Sequence, residues 1–432
     1  MDCTGKSKEK KVLQKLRCSV QNYDWGKKGD SSYVARLCSL NSASRIQPDC
    51  PYAELWMGTH ESGPSYIDFR NGIGSGLDCC NETLKQWIQK NPHVLGDKLI
   101  TKWGSDLPFL FKVLSVAKPL SIQAHPDKNL AKKLHKLQPW LYKDDNHKPE
   151  MALAITEFEA LCGFIALSEL KDVLTTVPEV VCLVGNGEAN QVLVLEESDE
   201  EDKVKPVLRT LFTSLMTASR SLIDEALKLL KERLKGEGKV RELTEKEELV
   251  VRLEKQYPGD VGVISAFFFN YVKLNPGEAL YLGANEPHAY LKGDCLECMA
   301  TSDNVVRAGL SPKHRDVQTL CSMLTYKQGF PEILTGFPFS KWVTRYLPPF
   351  DEFEVDRCIL PGGESVVFPA VPGPSIFLVI SGEGKMRWEK KICDIVEGDV
   401  LFGSCNMEIT ICADYELQIY RAGVNSRVIQ LL

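Results

Sequence analysis

Residues 121–128 read SIQAHPDK. In an extended segment side chains alternate between faces, so Ser121, Gln123 and His125 point one way and Ile122 and Ala124 the other. An apolar run precedes the stretch and Pro126 stops it, which makes it a short strand with one polar face. That face either meets water or lines a polar interior. The flanking text is strand-like as well: DLPFLFKVL (106–114) before it, and MALAITEFEALCGF (151–164) after a short amphipathic segment, NLAKKLHKL (129–137).

From Ser168 to about Tyr257 the periodicity becomes helical. In SLIDEALKLLKERLKGEG (221–238), Leu222, Ile223, Ala226, Leu227, Leu230 and Leu234 share one stripe, and Gly236 is the expected stop. The acidic run EESDEEDK (196–203) reads as a solvated loop. After Gly262 strand character returns in VISAFFFNYVKL (263–274), ALYLGANEPHAYL (279–291) and CLECMATSDNVV (295–306). The order β, helical, β implies a β domain interrupted by a helical insertion, with early and late strands closing one barrel or sandwich. Beyond about Phe350, short strands at regular spacing predict a second all-β sandwich or jelly roll, and this stretch contains no histidine.

The 432 residues are 44% hydrophobic and 25% charged, as in ordinary soluble globular proteins. A net charge of −6 argues against a nucleic-acid partner. No apolar run approaches the roughly 20 residues that span a bilayer. The N-terminal MDCTGKSKEKKVLQKL has no apolar segment behind its basic residues, so no secretory signal is expected. Fifteen cysteines are then read as reduced thiols of a cytoplasmic protein. The single CxxC, Cys295 to Cys298, has no second pair to complete a four-thiolate zinc site. The two thiols flank Glu297, which raises inhibition by thiol reagents as a hypothesis that the sequence does not decide.

Gln123 and His125 offer a carbonyl oxygen and an imidazole from one strand face. Glu150, opening a strand after Pro149, is either a solvated strand-end carboxylate or an inward ligand. His288, after GAN and Pro287, is either an ordinary satisfied histidine or a fourth ligand. One amide oxygen, two imidazoles and a carboxylate suit a borderline ion such as zinc better than magnesium or calcium. Three cations lie in these motifs: Lys112 inside an apolar strand, Lys148 beside Glu150, and Arg307 after TSDN. Near a metal they point to an anionic small molecule; otherwise they are surface ion pairs.

Taken together, QNYDWGKKG (21–29), YAELWMGTHESGPS (52–65), SIQAHPDK, NHKPEMALAI (146–155) and NEPHAYLKGDCLECMATSDNVVRAGLSPK (285–313) resemble type I phosphomannose isomerase. The resemblance runs in order from Gln21 to Lys313. It implies a discontinuous cupin-like jelly-roll catalytic domain over 1–165 and 260–345, a helical insertion domain over 166–259, and a C-terminal jelly-roll-like β-sandwich domain over 346–432. It also implies one Zn2+ per chain on Gln123, His125, Glu150 and His288, with Arg307, Glu297, His147, Lys148 and Asp303 as catalytic residues. Lys112, Ser121, Lys148 and Arg307 are the implied substrate contacts.

The implied reaction interconverts D-mannose 6-phosphate and D-fructose 6-phosphate through a cis-enediol, feeding mannose 1-phosphate and GDP-mannose synthesis in carbohydrate metabolism. It needs a base, an acid and stabilisation of enediolate charge. Glu297 is preferred as base, with burial raising its pKa, and His147 is the competitor. Arg307 either binds phosphate or steadies the oxyanion. A cytoplasmic monomer with a phosphosugar substrate, and without a nucleic-acid or membrane partner, completes the expectation. The rival readings are a metal-dependent cupin dioxygenase and a catalytically silent sugar-phosphate-binding protein on the same scaffold.

Overall fold

The computed structural model describes residues 11–68 and 82–431. The first ten residues, on which most of the signal-peptide reading falls, lie outside the described residues. The 13-residue strand His288–Ala300 organises the catalytic half. Its first residues pair antiparallel with Phe158–Phe164, and His288 itself pairs with Gln123 of the Ile122–Ala124 strand. Its second half lies between Phe109–Val116 and Glu150–Ala154. At Gly293 the strand passes from one sheet to the other. The φ there is +115°, and a Cβ would sit 2.3 Å from the carbonyl oxygen of Glu157, so the bend requires glycine. The two sheets form a jelly roll whose apolar filling includes Leu114, Ala152, Phe158, Val272 and Leu280.

Helices then run from Leu167–Thr176 through Val261–Ser265. Ser219 caps Arg220–Glu237 by accepting from the amide of Leu222, and Ile223, Ala226, Leu227, Leu230 and Leu234 are buried at helical spacing. This helix runs through the exposed Gly236 and stops at Gly238, two residues later than expected. The acidic run is loop only in its first part. Glu201 and Asp202 form the first turn of Glu201–Thr217, where carboxylates favour the positive end of the helix dipole.

The expected strand at VISAFFF is likewise corrected: Val261–Ser265 is helical and the strand begins at Phe269. Asp260 explains this, because its carboxylate accepts from the amides of Gly262, Leu310 and Ser311 and starts a helix there. The core of the insertion also takes in Leu161 and, from the backs of the strands that present Gln123 and Arg307, Ile122, Val306 and Ala308. Gly262 and Gly309 make that approach close, since a Cβ on Gly309 would meet Gly262 Cα at 2.5 Å.

The C-terminal part is a sandwich of an eight-stranded and a four-stranded sheet over Phe377, Met386, Trp388, Leu401 and Ile411. Leu13–Arg17 belongs to the larger sheet, pairing with Val400–Gly403, and so do Phe337–Ser340 and Val343–Tyr346. The sequence division had grouped residues 13–17 and 337–345 with the catalytic domain; local patterning carries no record of so distant a partner. Leu55, Val113 and Leu296 share one core with Ile376, Phe402 and Tyr420, so the sandwich supports the sheet that bears Lys112 and Glu297. Among the described residues, no helix is long and apolar enough to cross a membrane.

Candidate active site

Three side chains from three strand ends meet below the surface. His125 follows Ile122–Ala124, Glu150 opens Glu150–Ala154 and His288 opens the long strand. One ligand atom from each lies within 4.8 Å of the others, and all three residues are buried. His125 Nε2 and His288 Nε2 stand 3.5 and 3.3 Å from Glu150 Oε2. His125 Nδ1 is 2.6 Å from the carbonyl oxygen of Asn304, and His288 Nδ1 is 3.0 Å from that of Glu286. A carbonyl only accepts, so both Nδ1 atoms carry hydrogen and donate. Burial pushes the His125 imidazole down to about 4, which keeps it neutral.

Both Nε2 atoms are buried without a hydrogen-bond partner. In the neutral ring each is a lone pair aimed at an anionic carboxylate, an arrangement that a cation between them would satisfy. Burial works against the charge on Glu150, yet Lys148, its Nζ 3.2 Å from Oε1, together with the two imidazoles holds the carboxyl well below its ordinary value. Gln123 pairs with His288 on one side and Arg307 on the other, and its Oε1 accepts from Ser121 Oγ at 3.2 Å. The donor set therefore fits a nitrogen- and oxygen-binding divalent ion such as zinc.

The turn carrying these ligands is clamped. Asn285 adopts φ +63°, which asparagine tolerates, and its amide donates to the carbonyl of His125 at 2.7 Å. Its side chain exchanges hydrogen bonds with Asp127 at 3.1 and 3.2 Å. The segments QAHPD and GANEPH are thereby held edge to edge.

Above the triad opens a cleft of about 390 Å3, lined by Ser121, Gln123, Lys148, Glu150, Glu297 and Arg307, among others. In its wall Lys112 Nζ lies 2.9 Å from Glu297 Oε2 and 3.2 Å from Glu54 Oε2, 4.9 Å above the Trp56 ring. Burial disfavours the ammonium, but the two carboxylates more than offset this and raise its pKa above the ordinary value. Burial pushes the Glu297 carboxyl up, Lys112 opposes this, and Glu150 and Glu54 add to it. Arg307 is half-buried, and burial draws its guanidinium below its ordinary value.

Of the residues expected from sequence, His147 stands apart. Its Nε2 is 2.7 Å from Glu352 Oε1 in the C-terminal part, and it does not line the cleft. Asp303 does line it, with Oδ1 3.3 Å from His60 Nε2, whose hydrogen bond lowers the Asp303 carboxyl. Cys295 and Cys298 are buried thiols whose pKa burial raises well above the ordinary value. Sequence reasoning gave no role to Glu54, Trp56, His60, Tyr290 or Lys313, all of which line the cleft. A signal existed for two of them: Glu54 and Trp56, two apart in a strand, share a face and bond to each other at 2.6 Å.

Family models described as "Phosphomannose isomerase type I, catalytic domain" and "Phosphomannose isomerase type I, helical insertion domain" match residues 13–167 and 183–269. The chain is 61% identical over 421 residues to mannose-6-phosphate isomerase 2 of Arabidopsis thaliana, covering 97% of this chain and 95% of that one. It is 43% identical over 420 residues to mannose-6-phosphate isomerase of Macaca fascicularis, covering 94% and 97%. A crystal structure of mannose 6-phosphate isomerase bound with zinc and yttrium superposes with a TM-score of 0.78 at 29% identity, covering 96% of this chain and 99% of that one.

Proposed function

Because this chain belongs to the type I phosphomannose isomerase family and is an isomerase, we propose that it interconverts D-mannose 6-phosphate and D-fructose 6-phosphate through a cis-enediol. The observation that carries the metal reading is the pair of buried, partnerless Nε2 atoms of His125 and His288 facing Glu150. One zinc ion per chain, held by these three and Gln123, would supply Lewis-acid stabilisation of enediolate charge.

The remaining roles fall to side chains in the cleft wall. Glu297 is assigned the proton transfer between C2 and C1, supported by its burial, its raised pKa and its place in the lining. His147 is the weaker candidate, committed as it is to Glu352. Lys148 and Ser121, both in the cleft lining, are assigned contacts to substrate oxygens. Arg307, in register with Gln123 on the neighbouring strand, is assigned the developing oxyanion. Lys313, exposed at the rim, is assigned the phosphate. Asp303, paired with His60, orders the same wall.

The three-part division at residues 1–165 with 260–345, 166–259 and 346–432 belongs to this proposal, with Leu13–Arg17 and the strands between residues 337 and 346 crossing over to the large sheet of the third part. So do a monomeric, cytoplasmic enzyme and a place upstream of mannose 1-phosphate and GDP-mannose synthesis. The experiment that tests the function is conversion of mannose 6-phosphate to fructose 6-phosphate by purified protein before chelation, after it, and after zinc is returned. Activity that vanishes and returns with zinc is the expected result. Metal-independent activity would remove zinc from the reading, and no turnover by folded, zinc-loaded protein would leave a binding role only.

A further inference from the structure

Between the end of the long strand at Ala300 and the next strand at Val306 the chain has no regular structure. Yet this loop does two things for the site. The carbonyl of Asn304 accepts from His125 Nδ1 at 2.6 Å, and Asp303 pairs with His60 in the cleft wall. No ladder of backbone hydrogen bonds fixes the direction of that carbonyl, so side chains must.

One carboxylate lies at the centre of those contacts. Asp144 Oδ1 accepts from Ser302 Oγ at 2.8 Å and from Asn304 Nδ2 at 3.1 Å, and Oδ2 accepts from the amide of Asp303 at 2.8 Å. Three consecutive residues of the loop are thus held by a single side chain. Asp144 also accepts from the amide of Asn146 at 3.0 Å, in the segment that leads to Lys148 and Glu150. It therefore ties the segment ahead of one metal-ligand candidate to the loop that orients another. The backbone carbonyls of Asp144 and Asn146 also accept from Asn304 Nδ2, at 2.8 and 3.0 Å, and that of Asn146 from Ser302 at 3.2 Å, but neither holds Asp303, whose amide depends on the Asp144 carboxylate.

We propose that Asp144 is a positioning residue for the metal centre: by bonding Ser302, Asp303 and Asn304 together, it aims the Asn304 carbonyl at His125 and so presents His125 Nε2 to the ion. This rests on the metal reading of the site given above. Partners behind a ligating imidazole are worth about 10- to 100-fold in metal affinity, because they set the tautomer and the direction of the lone pair. Asp144 acts one step further back, on the partner itself.

The test uses the zinc-loaded full chain and measures transfer of zinc to a chromogenic chelator at 25 °C, together with thermal midpoints of zinc-loaded and zinc-free protein. Asp144→Ala removes the three loop contacts. Asp144→Asn keeps the shape but sets an amide NH2 in place of a carboxylate oxygen that accepts from Asp303. Both are expected to speed zinc release by about 10-fold or more, with the zinc-free midpoint close to that of the unaltered chain. Asp145→Ala, in an exposed neighbour with no such contacts, releases zinc at the unaltered rate. Unaltered release in both Asp144 variants overturns the proposal. So does an equal fall of the midpoint with and without zinc, which marks a general structural role. An unaltered chain that takes up no zinc at all fails at the earlier step, and the metal reading falls first.

Discussion

Lys112 and Glu297 stand opposite each other in register on the central antiparallel strand pair, Nζ to Oε2 2.9 Å, with Glu54 on the same ammonium at 3.2 Å. One buried cation thus serves two buried carboxylates. It neutralises the charge of one, and burial makes the second negative charge costly. Burial pushes the Glu297 carboxyl up, and Glu297 lies on the strand that begins with His288.

Glu297→Gln should therefore lower kcat by about 10²- to 10⁴-fold, the range for losing a general base, with KM nearly unchanged. The amide oxygen still accepts from Lys112, so the fold persists. In the unaltered enzyme the base must be deprotonated to act. Activity should then fall as pH drops, through an apparent pKa above the ordinary glutamate value. Near-normal turnover by the variant would return the role to another group.

Lys112→Met tests the other partner. It strands Glu54 and Glu297 without a cation, at a cost of about 3–5 kcal/mol for a broken buried pair. The charge loss is read at Glu297, whose carboxyl burial already pushes up, so it is full at neutral pH and shrinks as pH falls and that carboxyl protonates. Urea unfolding at pH 7 and pH 5 reads the difference; equal destabilisation at both would mean that lost packing, not charge, is responsible.

The proposed function divides the anionic substrate between Arg307 and Lys313, both of which line the cleft. Arg307 is half-buried beside Gln123, next to the reacting end, whereas Lys313 is exposed at the rim. Arg307→Ala should lower kcat by about 10²- to 10³-fold, as when one donor to a developing oxyanion is removed. Lys313→Ala should mainly raise KM, since a phosphate contact made equally in ground and transition state is uniform binding. The opposite split would exchange the two assignments.

What was legible in the sequence was whatever a single strand face could show. Alternation put Gln123 and His125 on one face, and Pro149 and Pro287 marked Glu150 and His288 as strand openers, but each also had an ordinary structural reading, and only the family resemblance joined the four. The insertion was readable because helical periodicity replaces strand alternation for nearly ninety residues, from Ser168 to Tyr257. Contacts made only by sheet closure were silent. Glu54 reaches Lys112, His60 reaches Asp303 and Leu13–Arg17 reaches Val400–Gly403 through pairings that no local pattern encodes. At VISAFFF, apolar content concealed a helix because the deciding residue, Asp260, caps it from outside the run. His147 is the competing base in the sequence because an imidazole titrates near neutrality and the resemblance points to the His-Lys pair of HKPE; neither signal encodes the distant Glu352 to which its side chain turns.

The CxxC thiols can be probed directly. Cys295 and Cys298 are buried with pKa values raised by burial, so at neutral pH they are protonated and shielded. Cys182 is exposed. A small maleimide at pH 7 should label Cys182 well before either CxxC thiol, as read by peptide mass spectrometry. Inhibition that tracked labelling of Cys295 or Cys298 would instead make the site itself thiol-sensitive.

Gly293 gives the last prediction, on which the geometry of both halves of the site depends. It lies between His288 and Glu297 on one strand, at the point where that strand changes sheet. Its φ of +115° disfavours any L side chain, and a Cβ would also press on the Glu157 carbonyl at 2.3 Å and on Phe158 Cα at 2.9 Å. Gly293→Ala should cost at least about 2 kcal/mol in unfolding free energy. Gly104→Ala separates the two causes. Its φ is +76° with ψ −159°, and nothing lies within 4 Å of an added Cβ, so only the backbone conformation is penalised, at about 1–3 kcal/mol, with no clash on top. Urea midpoints compare them at equal slope. Because relief of the clash at residue 293 must displace one half of the strand against the other, kcat of the refolded Gly293 variant should fall as well, while the Gly104 variant keeps it. If the two substitutions cost the same and both leave kcat intact, the bend is looser than the contacts imply, and the spacing of the imidazole from Glu297 does not depend on it.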